Sequence, residues 1–190
     1  MNKKLLLLVL IFTVAFISLF AQTTDNPALF PILNNFSTRT FSPEPVTRAE
    51  IDTIVRAGLR SPSAGNRQPW LITVVQNMNL AKQLFPDITE GNALIVISGP
   101  GDGKTNSTVI LDCALAAQSM YLAAQAMKLG ARQYTNSALI NRINSSKTTL
   151  GIPEDHNAII AIRVGKLPSG IDVISSASPR HDPVQKVIYR

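Results

Sequence analysis

From Ser107 to Leu129 the chain reads S-T-V-I-L-D-C-A-L-A-A-Q-S-M-Y-L-A-A-Q-A-M-K-L, an alanine-rich run that is apolar on nearly every side and is closed by Gly130. Alanine, leucine, methionine and glutamine all favour the helix, and a glycine just past the last periodic residue is a common stop. A helix with no polar face has to be covered all round. This one is therefore expected at the middle of a domain or in a subunit interface, with the other elements packed about it.

Those other elements read as a mixed set. Asn26–Asn35 carries Leu29, Phe30, Ile32 and Leu33, which suggests a short amphipathic helix interrupted by Pro31. Ser37–Val46 holds two prolines that forbid a helix interior, so it is read as extended. Thr47 and Glu50 have capping-box spacing, and Ile51, Ile54, Val55 and Leu59 follow at helical period, with the stop before Ser61 and Pro62. β-branched and apolar content predicts strands at Leu71–Gln76, Leu94–Ser98 and Ala158–Val164, the last ending at Gly165. Shorter helices are expected at Leu80–Phe85 and Asn136–Asn144. The tail from Leu167 is rich in serine and proline and finishes with the strand-like Val187, Ile188 and Tyr189. Such a tail can reach another subunit. Without the regular strand–helix alternation of a doubly wound parallel sheet, the class is α+β in a single domain, residues 22–190.

The first twenty-one residues stand apart. Lys3 and Lys4 precede the unbroken apolar stretch Leu5–Phe20, and Ala21 offers a small residue before Gln22, Thr23, Thr24 and Asp25. That is the layout of a secretory signal peptide, short for a span of about 20 residues. The expectation is an exported protein, periplasmic or secreted, beginning at Gln22 and without stable membrane insertion once cleaved. Cys113 is the single cysteine, so neither an internal disulfide nor a lipid anchor at the cleavage point is expected. Within its helix it reads as a small buried apolar residue. Removing the leader takes two of the eighteen basic residues and leaves sixteen against twelve acids, a net charge of +4. Its arginines are scattered, which argues against a nucleic-acid partner but suits a small anionic ligand.

Between the helix ending near Arg60 and the strand at Leu71 runs R-S-P-S-A-G-N-R-Q-P-W. Ser61, Ser63, Asn66, Arg67 and Gln68 give this loop far more hydrogen-bonding groups than a connection needs. A polar ligand lying along it is the direct reading.

These residues carry a resemblance. Pro62–Trp70 is similar to the P-S-x-x-N-x-Q-P-W segment of the FMN-dependent nitroreductase family, which lies between the second helix and the first strand of the sheet. N-F-S-T-R-T-F, Asn35–Phe41, resembles the family's phosphate-binding stretch, with Asn35 standing where the family has a leading basic residue. Asp112–Ala131 resembles its core helix and following turn, Leu150–His156 its approach to the last core strand, and Ser178–Val184 its arginine-bearing tail. The resemblance implies a three-layer α/β/α sandwich with a mostly antiparallel central sheet, and a homodimer holding FMN at the subunit interface. It implies Ser37, Thr38, Arg39 and Arg180 at the phosphate, and Arg60, Ser63, Asn66 and Gln68 at the ribityl chain and ring edge. Tyr134, Thr135 and Asn136 would surround the ring. Guanidinium groups suit phosphate because they hold two oxygens at once, and amides suit the ring because they both donate and accept. The implied activity is two-electron reduction of a nitroaromatic, quinone or similar planar acceptor, with no side chain as covalent catalyst.

The family's reductant, NAD(P)H, is cytoplasmic, which conflicts with export. An exported enzyme would need another donor; alternatively, the fold is a flavin-binding or interaction module without NAD(P)H-driven turnover. Two other chemistries are poorly supported. Gly99–Thr105, G-P-G-D-G-K-T, approaches a phosphate-binding P-loop, but Ser98 occupies the position of its first glycine, so a glycine-rich turn is the better reading. His156 and His181 are the only histidines, and no cluster has metal-ligand spacing.

Overall fold

The computed structural model describes residues 26–171 and 186–188. The leader-like segment, Arg180, His181 and Tyr189 lie outside these residues, while Val187 and Ile188 are exposed and in no strand.

Helix α1 (Phe30–Leu33) has Pro31 in its first turn, where the missing N–H has no intrahelical partner to lose. The proline therefore starts this helix instead of interrupting it. Helix α2 (Arg48–Leu59) begins with the expected capping box: Thr47 accepts from the Glu50 N–H, and the Glu50 carboxylate accepts from the Thr47 N–H at 2.8 Å. After the loop at 61–70 come β1 (Leu71–Val75), α3 (Met78–Leu84), capped by Asn77, and β2 (Ala93–Pro100). Next follow α4 (Ser107–Ala126), β3 (Gly130–Tyr134), α5 (Ser137–Asn144), α6 (Lys147–Leu150) and β4 (His156–Gly165).

Among the described residues the sheet has the order β1-β2-β4-β3, every neighbouring pair antiparallel. Pleating sends successive side chains of β2 to opposite faces. Ala93, Ile95 and Ile97 join Ile160, Ile162 and Val164 under α2 and α4, while Leu94 and Val96 join Ala161 under α3, α5 and α6. The result is a three-layer α/β/α sandwich. Between Ile97 and Ser98 the β2–β4 register slips, pairing Ile97 with Ile160 and Ser98 with Ala158. This bulge leaves Ile159 and Ile160 both on the α4 side, where they close the core at the start of that helix.

Strand β3 differs from the expectation of a turn after Gly130. Its sequence, G-A-R-Q-Y, is polar because it is a sheet edge, and only its first two residues are buried. Helix α4 is long and apolar enough to cross a membrane, yet here it packs between α2 and the sheet. It is not covered on every side: Leu111 is 63 % exposed and Leu115 46 %. Together with the exposed Gln118 these form a stripe at positions i, i+4 and i+7. Cys113 is fully buried, and burial, followed by the neighbouring Asp112 charge, pushes its thiol pKa up to about 12.

Candidate functional site

The segment 36–39 runs beside β3 with its side chains alternating. Gln125, from the buried face of α4, accepts from the Phe36 N–H at 3.1 Å and donates back to the Phe36 carbonyl. The Thr38 N–H donates to the Ala131 carbonyl at 3.1 Å, and its hydroxyl accepts from the Ala131 N–H at 3.1 Å. Thr38 is thus 1 % exposed and its side chain is committed to β3, whereas Ser37 and Arg39 are turned outward. Ser37 lines a cleft of about 210 Å3 with Asn35, Gln118, Tyr121 and Gln133. Gln133 donates to Gln118 at 3.2 Å, so amides dominate this wall.

The loop after α2 forms the second part. Ser61 is buried and donates to Ser119 on α4 at 2.7 Å, fixing the loop's root. The chain then enters a short 3-10 turn, Ala64–Asn66, and passes through three left-handed residues: Gly65 at φ +59°, Asn66 at +54° and Gln68 at +48°. Left-handed backbone is unfavourable for residues with a Cβ, and such positions concentrate at functional sites. Three bonds hold the shape. The Ser63 hydroxyl accepts from the Gln68 N–H at 2.9 Å, the Gln68 side chain donates to Asn66 Oδ1 at 3.1 Å, and Asp112 of α4 accepts from the Ala64 N–H at 3.0 Å. Asn66, Arg67 and Gln68 stay exposed. Arg67 and Pro69 line a second cleft, about 260 Å3, against Pro100, Asn106, Thr108, Val109 and Asp112.

Both clefts abut α4. Asp112 and Gln118 are six residues apart, about 9 Å along the helix axis at 1.5 Å per residue. Arg60, at the C-cap of α2, and Arg39 are exposed, so guanidinium groups are available at the surface near each part. The donor set is hydroxyls, amides and guanidinium groups, which fits a cofactor with a phosphate, a polyol and a ring edge of alternating donors and acceptors.

The third expected group is placed differently. Alternation along β3 sends Gln133 toward the α4 face and Tyr134 to the opposite layer, where its ring meets Phe85 edge-on at 5.0 Å. Asn136 spends its side chain as the N-cap of α5, accepting from the Leu139 N–H at 3.0 Å, and Thr135 is exposed between them. Arg180 lies outside the described residues. Sequence reading missed Asp112, Gln118 and Gln133. Asp112 had a usable signal as the only acid in an otherwise apolar helix. Gln133 had none, because its strand was not foreseen.

The glycine-rich turn after β2 is closed to phosphate. Asp102 Oδ1 accepts from the Lys104 and Thr105 N–H groups at 2.8 Å each, taking the amides a P-loop would offer. Those backbone bonds, Thr105 first and then Lys104, hold the Asp102 carboxyl below its ordinary pKa. Among the described residues no group of three or more His, Cys, Asp or Glu side chains is arranged to hold a metal ion.

The fold and the two clefts define an α+β protein with a hydrogen-bonding loop set against one long helix. The chain belongs to the nitroreductase family, whose model matches residues 32–98 and 88–166. It is 27 % identical over 137 residues to a protein of Archaeoglobus fulgidus carrying the name NADH dehydrogenase/NAD(P)H nitroreductase, covering 68 % of this chain and 79 % of that one. A crystal structure from Parabacteroides distasonis with the same name shares 27 % identity at a TM-score of 0.72, over 87 % of this chain and 98 % of that one. A nitroreductase from Desulfitobacterium hafniense, solved with bound FMN, matches at a TM-score of 0.70 and 19 % identity, over 87 % and 98 % of the two chains.

Proposed function

We propose that this chain is an FMN-dependent oxidoreductase that works as a homodimer, with the flavin between subunits, and reduces nitroaromatics, quinones or similar planar acceptors by two electrons. The observation that carries the reading is the loop 63–68, held in left-handed conformations that leave two amide side chains and a guanidinium facing out. The exposed stripe Leu111, Leu115 and Gln118 on α4 supports dimerisation, because a second subunit would cover the apolar pair and bring its own loop to the amide-lined cleft.

FMN, when bound, would supply the two-electron redox chemistry. The chain's own work is then binding and orientation. Ser37 and Arg39, with Arg180 from the tail, are assigned to the phosphate, and Ser63, Asn66 and Gln68 to the polyol and ring edge. Arg60, at the root of the loop, is assigned to the polyol and ring edge with them. The leader-like segment supports export, which would separate the enzyme from the cytoplasmic NAD(P)H pool. NAD(P)H is therefore the donor to be tested, with a reductant of the exported compartment as the alternative.

Asn35 favours a second reading. It stands where the resembled phosphate motif has a basic residue, and its amide donates to the Ile32 carbonyl at 2.6 Å, closing the end of α1. A phosphate site short of one cation suits an exported flavin-binding module without NAD(P)H-driven turnover. The two readings separate on reduction of the purified yellow protein. Bleaching by NAD(P)H with turnover of a quinone supports the enzyme, bleaching by dithionite alone supports the module or another donor, and a colourless protein that FMN cannot reconstitute rejects both.

A further inference from the structure

Asp112 is the single acidic residue of α4 and is 4 % exposed. Its Oδ1 accepts from the Ala64 N–H at 3.0 Å, and its Oδ2 is buried with no partner. A buried carboxylate with one oxygen unsatisfied is unfavourable, so stability of the helix alone does not account for it. What the carboxylate does reach is the first amide of the 3-10 turn. Ser63, the residue before that turn, makes no capping bond to it with its own side chain. Its hydroxyl is engaged four residues past the Ala64 amide instead, at the Gln68 N–H. The left-handed run Gly65, Asn66 and Gln68 is thus pinned at its start by Asp112 and at its end by Ser63. Within the run, Gly65 and Asn66 accept that backbone most readily, and the Gln68 side chain bonds Asn66 at 3.1 Å.

We propose that Asp112 is the positioning residue of the site: from α4 it anchors the Ala64 amide and so holds Asn66 and Gln68 in the conformation that receives the flavin. The inference rests on the flavin reading above. Asp112 acts through the loop, by its bond to the Ala64 amide. The same contact gives α4 and the loop one rigid frame, so that the cleft holding Arg67 and the cleft holding Gln118 keep a fixed separation.

The test compares the full-length wild-type protein with Asp112→Ala, Asp112→Asn and Ala64→Pro. Ala64→Pro deletes the bond from the loop side and leaves α4 untouched. Ser63 before it sits at φ −143° and ψ 156°, which a following proline accepts, and the first position of a helical turn tolerates one. The expected result for Asp112→Ala and Ala64→Pro is an FMN dissociation constant raised at least about tenfold, from losing a bond to a charged acceptor. A changed visible circular dichroism of the bound flavin should accompany it, with faster amide exchange at 64–68 and unaltered exchange in β2 and β4. Asp112→Asn, whose amide oxygen still accepts, restores affinity to within about threefold of wild type. Unchanged affinity and flavin spectrum in Ala64→Pro would overturn the proposal, even with faster loop exchange. Failure of the wild type to take up FMN removes the flavin reading itself and the positioning role with it; a yellow wild type with indifferent variants removes only the latter.

Discussion

The Nε of Arg163 donates to Oδ1 of Asn92 at 2.8 Å, joining the interior of β4 to the residue just before β2. Arg163 is 6 % exposed, and its guanidinium also donates to the Thr89 hydroxyl and lies 4.1 Å over the Phe41 ring. Burial pulls its pKa below the ordinary arginine value. It serves as a strut between the sheet, the turn before β2 and the extended segment, away from the clefts.

Arg163→Leu leaves Asn92 and Thr89 without their donor. A loss of about 2–4 kcal/mol is expected, read as a lower midpoint in urea with an unchanged slope, because buried groups left unsatisfied cost about 1–3 kcal/mol each. FMN affinity measured well below that midpoint should stay within about threefold of wild type, since the strut touches neither cleft.

Glu50 carries a pH dependence. Burial pushes its carboxyl up, but Lys166 and the Thr47 N–H and hydroxyl outweigh this and hold it below the ordinary value of 4.5. A carboxyl lowered on folding adds stability above its unfolded pKa and loses it as the pH falls through the folded one. Wild-type stability should therefore fall below about pH 4.5 more steeply than that of Glu50→Gln. Parallel acid-unfolding curves for the two proteins would contradict this.

Gly91 and Gly58 separate two kinds of close approach. At Gly91, φ is +74° and a Cβ would lie 2.4 Å from the Pro43 carbonyl oxygen, so Gly91→Ala meets rigid backbone and should cost about 2 kcal/mol or more. At Gly58 the nearest atoms belong to the flexible Met120 side chain, 2.6 Å away, and Gly58→Ala should cost less than Gly91→Ala because that chain can move. Thermal midpoints in the opposite order would refute the distinction.

Asn66 lets conformation and the proposed flavin contact be tested apart. Its φ of +54° is easy for glycine, so Asn66→Gly should hold stability or raise it by up to about 1 kcal/mol. The same change removes an amide assigned to the flavin and should weaken FMN binding. Both measurements on one variant check the assignment; a gain in stability with full affinity takes Asn66 out of the site.

How much of this was legible in the sequence follows from where each signal lies. The Thr47–Glu50 box, β2, β4 and the central helix declared themselves through local chemistry and unbroken apolar runs. β3 did not, because an edge strand needs apolar side chains only where it meets the core, and Arg132 and Gln133 conceal it. The phosphate and loop motifs named Ser37, Ser63, Asn66 and Gln68. Motif spacing could not reveal that Thr38 faces inward, that Asn136 caps a helix, or that Tyr134 belongs to the far layer, because those depend on strand phase and on which residue begins the next helix. Asp112 stood out as the one acid of its helix, but its bond to the loop did not, because that partner lies 48 residues away.

The most direct measurement is equilibrium titration of the purified protein with FMN, following flavin fluorescence and the oligomeric state together. The account predicts one FMN per chain, two chains per particle, and an affinity that drops when Arg39→Ala and Arg180→Ala are combined, each charged contact contributing about 1.5–3 kcal/mol. No saturable binding, or undiminished binding in the double variant, would contradict it.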